Sequence, residues 1–154
     1  MVSSTKKFAA IAGVLALLLV APAGAQTRGE PRPAITGEWR FDTAPYNVNP
    51  DGSACRMSGL MTIKRNANGA YSGRFTARET CPHGSWTAEQ TCIGVRKGDK
   101  LELTATIIKL TPANVSYAPD NWSLTIKNGS RMVGQLRSAD VADVEFRRSE
   151  AVVS

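Results

Sequence analysis

The sequence predicts an all-β protein: an eight-stranded antiparallel up-and-down barrel, forming a single domain after a signal peptide. Three observations predict it. Apolar residues recur at every second position in eight separate segments beyond residue 36. Asn, Gly and Pro turn chemistry falls between most of those segments. No convincing helical period follows the apolar run at the start of the chain. Period-two alternation means strands with one wet and one dry face. A meander with one dry face closes most economically into a barrel, which removes the open edges, and a two-sheet sandwich is the alternative.

Residues 1–25 read as the signal peptide. Lys6 and Lys7 precede an uncharged apolar run over residues 8–20, Pro22 breaks it, and Ala23, Gly24 and Ala25 supply small residues for cleavage. A charged start, a short apolar core and an A-x-A end are the parts of a secretory signal. The run is shorter than the roughly 20 apolar residues of a spanning helix. The expected mature chain starts at Gln26 and is periplasmic or secreted, with an export signal of bacterial style. Residues 26–36, with prolines at positions 31 and 33, read as a flexible leader, residues 37–149 as the barrel domain and 150–154 as a tail.

The strands follow in order. Trp39 and Phe41 alternate with Glu38, Arg40 and Asp42; Met57, Met61 and Ile63 with Ser58, Thr62 and Lys64; Tyr71, Phe75 and Ala77 with Ser72, Arg74 and Thr76. Trp86, Ala88 and Cys92 alternate with Thr87, Glu89 and Thr91, and Leu101, Leu103, Ala105 and Ile107 with Glu102, Thr104 and Thr106. Trp122, Leu124 and Ile126, then Met132 and Leu136, then Val144 and Phe146 complete the dry faces. Asn66 to Gly69, then Arg96 to Asp99, then Asn128 to Ser130 are hairpin signals. Pro82 and Gly84 mark a further turn. The long connections are 43–54 and 111–120.

Centring one hairpin on Asn68 sets Ile63 against Gly73, Met61 against Phe75 and Gly59 against Ala77. The same ladder brings Cys55 opposite Cys81, close enough for a disulfide. Three cysteines in an exported chain allow one bond and one left over. The register favours Cys55–Cys81, with Cys81–Cys92 as the rival. Cys92 then faces inward across from Leu103 as a small apolar residue.

Gly59, Ala77 and Ala88 align as a row of small inward residues. Met61, Phe75, Trp86 and Trp122 stand against them. Small barrels alternate small and large residues to fill their taper. Filling is one reading of the row, and an interior cavity for a small apolar or amphipathic ligand is the other. Gln90 is the uncharged polar side chain placed deep inside, to orient a ligand or to bond backbone or water. Loops around Tyr46 and Tyr117 would rim a mouth.

The chain carries a formal charge of +6, of which the signal contributes two through Lys6 and Lys7. The remaining basic residues are dispersed among acids, whereas nucleic-acid binding shows a concentrated patch. The single histidine, His83, sits in a turn, and neither it nor the cysteines show the four-ligand spacing of a structural zinc site. No nucleophile stands beside an oriented base. Asp120 and Asn121 read as an Asx turn closing a loop. Asn-x-Ser matches at Asn114, Asn121 and Asn128 read as chance behind a bacterial signal. The expectation is a monomeric non-enzyme without metal or cofactor, with no nucleic acid and no membrane insertion.

Gly37-Glu38-Trp39 resembles the G-x-W start of the calycin barrels, the class of lipocalins and avidin-like proteins. That resemblance implies a Trp closing one end of the barrel against a basic residue of the last strand. Arg147 or Arg148 stands at a suitable place, and Trp39 with Arg147 is the barrel-closing pair expected. The exported barrel, its leader before the Gly-x-Trp strand and the Cys55 and Cys81 spacing also resemble the small bacterial inhibitors of secreted metalloproteases. This second resemblance implies a secreted protease as partner, blocked by residues 26–34. The chain departs from that pattern in its length, its proline-bearing leader and its third cysteine.

Overall fold

A computed structural model describes residues 32–149. The export signal, the start at Gln26, leader residues 26–31 and the tail lie outside the described residues. Eight strands run in order: β1 (Gly37–Thr43), β2 (Arg56–Arg65), β3 (Tyr71–Cys81), β4 (Gly84–Lys97), β5 (Lys100–Thr111), β6 (Asn121–Ile126), β7 (Arg131–Arg137) and β8 (Val141–Arg148). Each pairs antiparallel with its neighbour, and β8 returns to β1, so the sheet closes into one barrel. Alternation sets which side of each strand is buried. Trp39 and Phe41 on β1 are wholly buried, while Glu38, Arg40 and Asp42 beside them are exposed.

The β2–β3 register is the expected one: Ile63 opposes Gly73, Met61 opposes Phe75 and Gly59 opposes Ala77. Its turn is held by Asn66 N–H to the Ala70 carbonyl (2.8 Å), with Gly69 at a φ of 85° that suits glycine. The β4–β5 register differs from expectation. Gly98 and Asp99 form a two-residue turn, so Lys97 pairs with Lys100 and Cys92 opposes Ala105 rather than Leu103. Leu103 opposes Gly94, where an added Cβ would lie 2.5 Å from its Cδ2.

One end of the barrel is shut. Trp39 Nε1 donates to the Ile35 carbonyl (2.9 Å), and Ile35 is buried. The Arg148 guanidinium lies 4.6 Å above the Trp39 ring, a cation–π contact. It also donates to the carbonyls of Gly129 (2.7 Å), Thr36 (2.8 Å) and Ala34 (2.8 Å). Gly37 has a φ of 124°, and a Cβ there would meet Arg148 Nη1 at 2.5 Å. The Gly-x-Trp start is thus explained by contact: glycine clears the guanidinium and Trp39 stacks under it.

Two expectations are corrected here. Arg148, not Arg147, stands over Trp39, because two-residue alternation turns Arg147 outward, where it pairs with Glu145 (3.1 Å). The leader is also not free along its whole length. Arg96 Nη1 holds the Pro33 carbonyl (2.7 Å), and Arg148 holds Ala34 and Thr36.

Candidate functional site

The middle of the barrel is filled. Phe41, Phe75, Trp122 and Phe146 meet across it, with Trp122 lying 5.0 Å from Phe41, 5.3 Å from Phe146 and 5.9 Å from Phe75, ring centre to ring centre. Edge and tilted contacts of this kind are the favoured aromatic geometry. Gly59, Ala77 and Ala88 do align, through the pairs Gly59 with Ala77 and Ala77 with Ala88. The smallness of Gly59 serves this packing. A Cβ on Gly59 would sit 2.5 Å from Phe41 Cζ and would collide with the Thr76 carbonyl oxygen. Likewise Cys92 Sγ occupies the space over Gly73, 2.8 Å from where a Cβ would be. Cys92 is a free, buried thiol whose pKa is pushed up to about 11, chiefly by burial.

The opposite end from Trp39 is open. The connections 44–55, 82–83, 112–120 and 138–140 gather there around a cavity of about 310 Å³. That is the lower part of the usual range for small-molecule sites, roughly 300–1,000 Å³. Tyr46 and Tyr117, expected at a rim, both line it, as do Trp86 and His83. Trp86 therefore belongs to the mouth rather than to the interior packing. It is half-buried, with His83 edge-on at 5.8 Å.

The rim is fixed by backbone and sulfur. Tyr46 and Cys55 exchange both backbone hydrogen bonds, at 3.0 and 2.8 Å. Cys55 is bonded to Cys81, as the register favours, which ties the 44–55 loop to the end of β3. Tyr46 is thereby held above Glu79, and its hydroxyl donates to Glu79 Oε1. The Cys55 and Cys81 sulfurs and a Glu79 oxygen lie within 4.8 Å of one another. Metal ligation needs thiolates, so the disulfide leaves Glu79 as the one available ligand of the three.

Behind this rim lies a polar cluster that the sequence reading does not contain. Asp120, expected as an Asx turn closing a loop, is wholly buried. Its Oδ2 accepts from Gln90 Nε2 and from the Tyr117 hydroxyl (2.9 Å), and its backbone N–H donates to Gln90 Oε1 (3.0 Å). Gln90 thus bonds both backbone and carboxylate of the 112–120 loop's last residue, anchoring the loop to β4. Asp120 Oδ1 has no partner among the described residues, nor has Trp122 Nε1. The Asp120 carboxyl is pushed up to about 6, first by burial, with the Glu79 charge adding to it and the bonds from Tyr117 and Gln90 opposing. Both tyrosine hydroxyls are pushed far above their usual range. For Tyr46 the cause is burial, then Glu79, with Asp120 and Asp140 adding; for Tyr117 it is burial, then Asp120.

This cluster makes stability depend on pH. Asp120 titrates near 6 when folded, against roughly 3.9 in an unfolded chain. The folded state holds the proton more tightly, so its contribution is complete below about pH 4 and is lost as pH rises through about 6. The loss amounts to at most roughly 2–3 kcal/mol. Urea unfolding of wild type and Asp120→Asn at about pH 4.5 and about pH 7.5, on either side of that titration, checks this. Relative to the variant, the wild type is expected to fare better at the lower pH. A difference that stays constant or reverses would remove Asp120 as the titrating group.

No protein-family model and no curated protein matches the chain. Among solved structures, a designed protein titled "De novo design of a fluorescence-activating beta barrel" is similar at 16% identity over 74% of this chain and 93% of that one, with a TM-score of 0.48. The likeness is one of barrel architecture and carries no functional weight.

Proposed function

We propose that this protein is an exported, non-enzymatic barrel that binds a small amphipathic ligand in its mouth rather than in its interior. The observation that carries the reading is the contrast between the two regions. Aromatic rings occupy the middle of the barrel, while a cavity of about 310 Å³ stays open between Tyr46, Trp86 and Tyr117. The lining mixes the aromatic side chains with polar groups, Glu79 and Asp140 among them, as suits an amphipathic guest. A Cys55–Cys81 bond agrees with an oxidising compartment. The shut end, with a Trp under an Arg behind a Gly-x-Trp start, supports a calycin-like reading of the barrel. The inner face is apolar, and the outer face is mostly charged and polar with Leu60, Ile93, Val95, Ile108 and Val141 scattered on it, unlike the continuous apolar band of a lipid-facing barrel, which supports a life in water.

Calorimetric titration with six-carbon probes tests the proposal. Hexanol, hexyltrimethylammonium and hexanoate carry straight tails of similar length and differ in the head group. At least one should bind wild-type protein with one-to-one stoichiometry. Ala118→Trp, which places an indole in the cavity wall, should weaken that binding at least tenfold. Binding that survives Ala118→Trp unchanged would remove the mouth as the site.

A further inference from the structure

We propose that the ligand bound at this mouth is an organic cation, an alkyl or aryl ammonium whose charged head sits among Tyr46, Glu79 and Tyr117. The inference rests on the mouth-binding reading above and adds the chemical class of the guest.

Charge is distributed unevenly in this molecule. The chain is basic overall, at +6, of which Lys6 and Lys7 of the expected export signal carry two. Yet no lysine or arginine among the described residues lines the mouth, whereas Glu79 and Asp140 do. Asp120 adds a third carboxyl directly behind Tyr117, through the 2.9 Å bond between them. These groups act on one another: the Tyr46 hydroxyl is disfavoured from ionising by burial first, and then by Glu79, Asp120 and Asp140 together. An anion entering here would meet the Glu79 and Asp140 carboxyl groups, with Asp120 behind them, and no lysine or arginine.

The walls suit a cation in a second way. Tyr46, Trp86 and Tyr117 bring three aromatic side chains to one cavity. Aromatic faces attract ammonium groups, most strongly when water is excluded, and cages of this type are the usual means of holding quaternary ammonium. A quaternary head also needs no hydrogen-bond acceptor, so the Tyr46 bond to Glu79 Oε1 need not break to admit it.

The acidic cluster is therefore accompanied by a bounded cavity, a set of aromatic walls and a buried carboxylate oxygen lacking a donor. A neutral amphiphile would use the walls and leave the charge unmatched. The cation uses both.

The three six-carbon probes, titrated near neutral pH and at low salt, separate this inference from the one beneath it. Hexyltrimethylammonium is expected to bind at least tenfold more tightly than hexanol, with hexanoate weakest. Raising the salt from about 20 to about 500 mM should erode the ammonium preference, because screening acts on the charge and not on the tail. Glu79→Gln should bring the ammonium-to-hexanol ratio several-fold toward one. Should that variant fold poorly, Asp140→Asn offers the same readout from another loop. If no probe binds, the mouth-binding proposal fails and this one with it. If hexanol or hexanoate binds as well as the ammonium or better, mouth binding stands and the cationic ligand is refuted.

Discussion

Replacing Trp122 with alanine is expected to cost about 3–5 kcal/mol, the usual range for removing a large buried aromatic. Trp122 is 1% exposed and packs against three phenylalanines donated by three other strands. Those rings stand on β1, β3 and β8, which are already paired into the closed wall, so the wall cannot collapse freely into the void. The cost depends on that rigidity, since cavities that fail to collapse are the expensive ones. A domain with the usual stability of roughly 5–15 kcal/mol would lose a large share. Trp86→Ala makes the comparison, because Trp86 is half-buried at the mouth and its loss opens no interior void. Urea unfolding should give the Trp122 variant the much lower midpoint. Equal losses for the two would mean that the interior is not packed around Trp122.

The second large effect concerns the disulfide. Cys55 and Cys81 are separated by 26 residues, and closing a loop of that size lowers unfolded-chain entropy by about 3.5 kcal/mol in the chain-entropy description. The Cys55→Ala, Cys81→Ala double variant is therefore expected to lose roughly 2–4 kcal/mol. It should also lose ligand affinity, since the bond fixes the loop that carries Tyr46 over Glu79. Core packing should survive in the folded fraction, because Trp122 and its neighbours belong to other layers of the barrel. A loss below about 1 kcal/mol would show that cross-strand pairing alone holds that rim.

Much of this architecture is written in the period-two pattern. All eight strands, the β2–β3 register and the cysteine pairing follow from it, because one face of every strand is dry and a slip of one residue would invert it. The partner of Cys92 does not follow, because Gly98 and Asp99 make a tighter turn than the four-residue break from Arg96 to Asp99 suggests. Nor does the choice of Arg148 over Arg147 as the residue above Trp39, unless the parity of Phe146 is carried two residues on, to the strand's last position.

The site itself is only half legible. Tyr46 and Tyr117 can be placed at a rim by loop length alone. Asp120 reads as a turn residue, although it shares the parity of Trp122, Leu124 and Ile126 and thus continues their dry face. Glu79 likewise opposes Met57 in a register that already points inward. Both signals are present, but a carboxylate on a dry face is readable only by following the register one step past the last apolar residue. Whether the row at Gly59, Ala77 and Ala88 marks a void is not in the pattern at all. It depends on where the Phe41 ring lies, and that is a matter of three-dimensional packing.

The three indole N–H groups of the chain sit at three levels of the barrel: Trp39 at the shut end, bonded to the Ile35 carbonyl, Trp122 in the middle and Trp86 at the mouth. A nitrogen–proton correlation spectrum recorded while hexyltrimethylammonium is titrated in reads all three at once. The Trp86 signal is expected to move and saturate, while the Trp39 signal stays where it is and Trp122 moves far less than Trp86. A saturating shift at Trp122 with Trp86 unmoved would place the guest inside the barrel and contradict binding at the mouth.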